Sequence, residues 1–397
     1  MPAVSMTTGV NVKVKEWRPS VANHRPTHPT LRRFLSTRKR GRLGRMVSTQ
    51  FRVVALAGAA AMLATLAGVC GEAAGASGAP MFRFMQINDT HVDADAGKDG
   101  YEKANEKARW AIEAAASGKL SPRPDFVVGI GDLVNGERLD ALAPDLRLLQ
   151  EMLTPLPVPF YPVVGNHEVI QQEGNPKFER AYREAFGDGK VSYTFVHGGI
   201  LFVALNNGGA CCVGPATVKA RSDWLRRTLE GAPDVPKIIL CHVPLIPLRQ
   251  EAVLAKSFGF RSYIDHDGET LKIVEQHADT VIAVLSGHLH LTGVAERKGI
   301  RHVSIAGTAS YPCDYALYTV YPDRIEATVR QLPAELVTPE TNIHGKPRYK
   351  SDYVDEDHKT PEEYVSGRAD ERGFTIPLSG GKMPAVSGPA ASKRRDK

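Results

Sequence analysis

Cysteine is scarce in this chain: five among 397 residues, at positions 70, 211, 212, 241 and 313. None has the paired spacing of a zinc finger, which excludes a cysteine-built structural metal site. Export would permit a disulfide such as Cys212 to Cys313, and free thiols stand equally open. Long basic runs are missing from most of the chain. Residues 1–52 hold twelve Lys/Arg, from Lys13 to Arg52, against the single acid Glu16, so the remainder stands at −5 although the whole sums to +6. A mildly acidic body without a Lys/Arg track excludes a nucleic-acid-binding patch. Internal repeats are absent too. The longest apolar run, Val53 to Val69, would reach only about 25 Å as a helix, short for a bilayer.

That apolar run nevertheless has neighbours that give it a meaning. Phe51-Arg52 precede it and Ala74-Gly75-Ala76 follow it, the pattern of a secretory signal with a small-residue cleavage site. The signal would begin at Met46, making residues 1–76 a leader and the protein exported, periplasmic or extracellular. An uncleaved 53–69 segment is the alternative, and the only membrane association expected. At the other end, residues 345–397 are rich in Lys, Asp, Glu, Pro, Gly and Ser. Such a stretch buries too little to offset its ordering entropy. Residues 336–397 are therefore expected to be a mostly disordered polar tail, and a fragment of roughly 77–345 to suffice for folding.

Between the ends, residues 77–335 are long enough for one large α/β domain. Strands are predicted at Phe82–Ile87, Phe126–Ile130, Phe160–Val164, Tyr193–Val196, Leu201–Leu205, Lys237–Leu240, Thr280–Leu285, His302–Ala306, Leu317–Val320 and Ile325–Val329. Helices are predicted at Lys103–Ala116, Arg138–Leu153, Lys177–Phe186, Val218–Leu229 and Glu269–His277. Early alternation followed by consecutive late strands suggests an α/β sandwich with helices outside its sheets.

Five polar clusters each follow an apolar strand: Asp89-Thr90-His91, Gly131-Asp132, Gly165-Asn166-His167-Glu168, His242, and Gly287-His288-Leu289-His290. One acid or histidine after a strand means nothing, since such residues cap helices or sit satisfied in cores. Five clusters at strand ends describe a single site, because loops from the carboxyl ends of neighbouring strands converge. Two Asp, one Asn and several His make a mixed nitrogen and oxygen donor set. It suits divalent Mn, Fe, Zn or Co better than Mg or Ca. Asp132 has two oxygens and can bridge a pair of ions. Two carboxylates leave two dications only partly neutralised, and the surplus positive charge favours a phosphate.

In this order the clusters resemble those of the calcineurin-like metallophosphoesterase superfamily, over the whole 81–300 region. The resemblance implies an α/β fold of four-layer α/β/β/α sandwich type. It assigns Asp89, His91, Asp132 and His290 to one metal, and Asp132, Asn166, His242 and His288 to the other. It further implies hydrolysis of a phosphate ester by a hydroxide bridging the two ions, with His167 assisting the leaving group and Glu168 orienting its loop.

Departures narrow the likeness. Purple acid phosphatases carry a metal-binding Tyr three residues after the Gly-Asp aspartate, where this chain has Asn135, and lack the His supplied here as His91. The exported or cyclic-nucleotide phosphodiesterase branch looks most similar, through His242-Val243-Pro244 and the compact size. A diester is favoured over a monoester, because Arg138 is the single arginine near the motifs able to clamp a phosphate dianion. The expected substrate is a small-molecule or envelope phosphate ester. A non-catalytic scaffold of the same fold, binding a partner protein, is the competing reading.

Overall fold

The β-branched and aromatic runs fold into two sheets, as seen in a computed structural model that describes residues 78–95, 101–136, 138–169, 176–208, 215–258, 263–338 and 353–378. One sheet contains β1 (Phe82–Ile87), β2 (Phe126–Ile130), β3 (Phe160–Val163), β10 (Asp314–Val320), β11 (Arg324–Gln331) and β12 (Gly373–Pro377). Its order is β12-β11-β10-β1-β2-β3. The other contains β4 (Tyr193–His197), β5 (Ile200–Leu205), β6 (Lys237–Cys241), β7 (Val281–Ser286), β8 (Gly293–Arg297) and β9 (Ile300–Ser304), in the order β4-β5-β6-β7-β9-β8. The helices are α1 (Ala104–Ser117), α2 (Leu139–Leu153), α3 (Asn166–Val169), α4 (Pro176–Phe186), α5 (Pro215–Glu230), α6 (Glu251–Phe258), α7 (Glu269–Gln276), α8 (Pro361–Ser366) and α9 (Ala369–Arg372).

Three apolar layers hold the two sheets and the helices α1, α2, α5 and α7. Between the sheets, Phe84 and Phe126 of one meet Phe202 and Leu240 of the other. Phe84 stacks on Tyr318 with ring centroids 4.4 Å apart and on Phe126 at 5.2 Å. Burying each such ring contributes about 1.5–3 kcal/mol. The outer face of the first sheet packs Met85, Ile87 and Val127 against Ile112 of α1 and Leu146 and Leu149 of α2. The outer face of the second packs Val203, Ile239 and Val284 against Leu225 and Leu229 of α5 and Ile273 of α7. The layers therefore run helix, sheet, sheet, helix, as the sequence implies.

Parallel pairing decides where the chemistry falls. β1, β2 and β3 run parallel, as do β5, β6, β7 and β9. The carboxyl ends of both sets open on the same edge of the sandwich, where ligands of open α/β sheets bind.

One expectation needs correction, and one alternative left open by the sequence is decided. Residues 353–378 are not a disordered tail. They form α8, α9 and β12, and β12 pairs antiparallel with β11, Ile376 opposite Ile325. Their few large apolar residues are well used: Tyr364, Val365 and Ile376 are almost completely buried. Cys313 is a free, buried thiol, so the Cys212 to Cys313 pairing is not made. The leader of residues 1–76, with its apolar 53–69 run, lies outside the described residues, as do 339–352 and 379–397 of the tail. Among the described residues, no helix is long and apolar enough to cross a membrane.

Candidate metal centre

Three of the five clusters leave their strands in a left-handed backbone shape that ordinary side chains rarely adopt. Asp89, His91, Asp132, His288 and His290 all have positive φ, between 44° and 71°. For residues with a Cβ this left-handed region costs on the order of 1–3 kcal/mol each, and it persists only where the surroundings impose it. Backbone ladders beyond the strands impose it here: Asp89 N–H donates to Gly131 O at 3.0 Å, His91 N–H to Asp132 O at 3.0 Å, and Gly287 N–H to His242 O at 3.0 Å. Gly131 makes one approach possible, since a Cβ there would lie 2.4 Å from the His242 ring. Gly287 makes another, its would-be Cβ lying 2.5 Å from Asp89 Oδ2.

The side chains converge in two groups that share Asp132. Asp89, His91, Asp132 and His290 form one; Asp132, His242 and His288 form the other, with candidate donor atoms inside 4.8 Å of each other. Asn166 joins the second group, its Oδ1 lying 3.2 Å from His242 Nε2. This is the division that the resemblance implies. His290 Nε2 is 3.1 Å from Asp89 Oδ1, and His242 Nε2 is 3.1 Å from Asp132 Oδ2. His167 stands beside both groups, Nε2 3.8 Å from Asp132 Oδ2, and is the most accessible of these rings at 12%. His197, His266, His277 and His302 fall in neither group.

The residues fit a pair of cations. Two carboxylates are buried together, and among the described residues only histidines pair with them. Imidazoles and carboxylates gathered this closely are the nitrogen and oxygen donors that divalent transition metals take. His91 Nε2 and His290 Nε2 approach to 3.3 Å within the buried site, and both residues belong to the first donor group.

The charges interact strongly. Burial tends to raise Asp132, but His242, His167 and His91 around it hold it well below the ordinary carboxylate range. Asp89 is raised, chiefly by burial, despite His242. His91 is pushed well down by burial and by the neighbouring His167. Burial lowers His242, yet the Asp132 and Asp89 carboxylates outweigh it and push the imidazole up to about 10.

A supporting layer fixes the rings. His242 shares Nδ1–H with Ile130 O at 2.9 Å, which turns Nε2 toward the site. His167 does the same with Asn135 O at 2.7 Å, and His290 Nδ1 meets Ser310 Oγ at 2.7 Å. Such outer partners set the tautomer and orientation of a ligand histidine. Glu168 ties two loops together: its carboxylate accepts from the amides of Leu133 (2.8 Å), Val134 (3.2 Å), Asp132 (3.2 Å) and Gly165 (2.6 Å). Asn88 donates to Asp89 Oδ2 at 2.6 Å.

Several neighbours carry no signal in the motifs. Ser310, the partner of His290 Nδ1, is one. Tyr101 lies against His91 and His290, with ring centroids 4.6 and 5.4 Å away. Phe258 lies 5.2 Å from His288. Arg138 is largely exposed and pairs with Asp140 at 3.4 Å.

Known proteins resemble this chain over the region that carries the site. The family model described as calcineurin-like phosphoesterase matches residues 82–291. The chain is 28% identical over 234 residues to the serine/threonine-protein phosphatase CPPED1 of Bos taurus, covering 53% of this chain and 66% of that protein. It is 24% identical over 208 residues to a probable glycerophosphodiester phosphodiesterase, GpdQ, of Arcobacter nitrofigilis, covering 52% and 71%. The chain thus spans about two thirds of the length of these curated relatives. Among solved structures, a dimetal phosphatase from Danio rerio superposes with a TM-score of 0.50 at 18% identity, over 64% of this chain and 96% of that one, a likeness of fold.

Proposed function

This chain belongs to the calcineurin-like phosphoesterase family, and from that premise we propose that it hydrolyses phosphodiesters at a dinuclear centre, with His167 serving the leaving oxygen. The observation that carries the reading is the pair of buried donor groups sharing Asp132, with His167 at their border. Asp89, His91, Asp132 and His290 would hold one ion, and Asp132, Asn166, His242 and His288 the other. Their mixed nitrogen and oxygen donors suit Mn, Fe or Zn. When bound, such a pair supplies Lewis-acid activation of water and of the phosphoryl oxygens.

The protein's own part is positional and protonic. Asp132 fixes the spacing of the two groups because its carboxylate belongs to both. His167 keeps its Nδ1 on Asn135 O, so Nε2 is the atom that can carry a proton to the leaving alkoxide. The backbone N–H of His167 donates to Asp132 Oδ1 at 2.9 Å, which ties this proton carrier to the shared carboxylate.

A diester is favoured over a monoester by the scarcity of cations at the site. A dianionic phosphate calls for an arginine clamp. Arg138, the candidate that the sequence offers, is largely exposed and engaged with Asp140. The relatives divide on this point, one named a phosphatase and another a phosphodiesterase. The complete donor set and His167 also favour an enzyme over a scaffold. The basic flank, apolar run and Ala74-Gly75-Ala76 support export as part of the proposal.

The test is elemental analysis after reconstitution with Mn, Fe or Zn, paired with hydrolysis of bis-p-nitrophenyl phosphate and p-nitrophenyl phosphate. About two ions per chain and a higher kcat/KM on the diester are expected. No metal uptake would remove the dinuclear centre, and a preference for the monoester would remove the diester assignment.

A further inference from the structure

The family match ends at residue 291, one residue before a knot of buried bonds to the C-terminal segment. Leu289 and Leu291, interleaved with the ligand histidines, are fully buried in one cluster with Tyr364 and Val365 of α8. Thr292 N–H donates to Val365 O at 2.9 Å. Thr292 O accepts from Arg249 Nη2 at 2.5 Å, and the same guanidinium donates through Nε to Tyr364 O at 2.9 Å. Arg249 Nη1 reaches Glu371 Oε1 at 2.9 Å, with both side chains almost wholly buried. Glu371 Oε2 in turn takes His358 Nε2 at 2.8 Å and Arg368 N–H at 2.9 Å.

A second strand of the knot reaches the other side of His290. Arg372 grips both oxygens of Asp314, at 2.7 and 3.0 Å. Asp314 Oδ2 accepts from Thr292 Oγ1 at 2.9 Å. Asp314 also ends the loop that carries Ser310, the partner of His290 Nδ1. Tyr311 Oη in the same loop donates to Glu362 of α8. The C-terminal segment thus grips the histidine loop from behind, and the loop that orients His290 from the side.

We infer that residues 353–378 form a clamp for the metal centre, in which Arg249 and Glu371 are positioning residues for His288 and His290. The physical need is clear. Both histidines sit at positive φ, 71° and 50°, a conformation that relaxes unless the following residues are pinned. Thr292 is the pin: its N–H, carbonyl and hydroxyl are all engaged with groups of the clamp or of Asp314. Because His288 and His290 belong to different donor groups, a loosened clamp disturbs both ions at once.

This inference rests on the reading of the site as a dinuclear centre, and Co(II) titration of the full chain separates the two. The visible Co(II) absorption band and Kd would be followed for the unaltered protein, Arg249→Met, Arg249→Lys, Glu371→Gln and Arg226→Met. Melting of each protein after chelation would be measured alongside. Loss of an orienting outer partner typically weakens metal affinity about 10–100-fold. Arg249→Met and Glu371→Gln are expected to weaken both Co(II) ions by that order and to change the band, with Arg249→Lys restoring part of the loss. Arg226→Met, which breaks a half-buried pair with Glu269 remote from the donor groups, should match the unaltered protein. If Arg249→Met fails to fold, Glu371→Gln carries the same comparison, since the amide keeps the volume and an acceptor. Lower melting with unchanged Kd and band would overturn the clamp and leave the segment a packing element. An unaltered protein that takes no Co(II) would overturn the dinuclear reading, and the clamp with it.

Discussion

His242 presents Nε2 to Asp132 Oδ2 at 3.1 Å, so the shared carboxylate and a histidine of one donor group compete for the same proton that a metal must displace. Against burial, Asp132 and Asp89 push His242 from 6.5 up to about 10. A ligand imidazole has to be neutral, so uptake of the second ion releases a proton at neutral pH. The raised value also stabilises the chelated protein: that contribution is fully present below 6.5 and is lost as pH rises through about 10. Metal affinity moves the opposite way, strengthening about tenfold per pH unit over the same window. Calorimetric titration in buffers of different ionisation enthalpy checks this; a heat independent of buffer would contradict it.

Asp132→Ala is expected to abolish both ions and turnover, because its carboxylate is common to the two donor groups. Asn166→Ala should weaken one ion while the other stays. Its Oδ1 sits by His242 Nε2 and belongs to the second group only. Metal stoichiometry at limiting free metal distinguishes these outcomes, and equal loss in the two variants would break the division into two sites.

Glu168→Gln tests the tie between the Gly-Asp and Gly-Asn-His loops. Burial and the nearby Asp132 carboxylate push Glu168 up to about 7, while the amides it accepts from favour its charged form. A glutamine keeps the volume but turns a donor toward N–H groups that also donate. The mismatch should cost about 1–3 kcal/mol of stability and lower kcat more than it raises KM. Denaturant melts with steady-state kinetics check both, and a neutral variant would make the tie dispensable.

The donor residues were legible because each follows an apolar strand and the parallel strands bring their carboxyl ends to one edge. What the sequence hid depends on long-range pairing. β8 is short, with Glu296 and Arg297 exposed at a sheet edge, so it carries little apolar pattern. β12 ends in Pro377, which suits an edge strand but argues against one in a sequence read locally. The segment 353–378 looks disordered by composition because few of its residues are apolar. Its order comes from pairing β12 with β11 and from burying Glu371 on Arg249, a partner 122 positions away. Ser310 was invisible for the same reason: only the folded loop brings it to His290.

A chain ending at residue 352 should therefore lose more than a solvated end. It would leave the Arg249 guanidinium buried without its carboxylate and expose the face that Tyr364 and Val365 cover. Removing one partner of a buried pair costs about 3–5 kcal/mol. Thermal melts of the shortened and full chains measure this, and equal melting temperatures would restore the disordered-tail expectation.

His167→Ala tests the proton step itself. Nδ1 is committed to Asn135 O, so the ring can serve the leaving oxygen only through Nε2, the nitrogen 3.8 Å from Asp132 Oδ2. Its loss should lower turnover by about 10²–10⁴-fold, the range of acid–base assistance. Metal content should stay unchanged, because His167 belongs to neither donor group. The deficit should shrink for aryl esters such as bis-p-nitrophenyl phosphate, since a phenolate of low basicity departs without a proton. Alkyl and aryl diesters compared on the same variant therefore separate two roles. A deficit confined mainly to alkyl esters assigns His167 as the acid, whereas equal deficits would reduce it to holding charge or orientation at the border of the two groups.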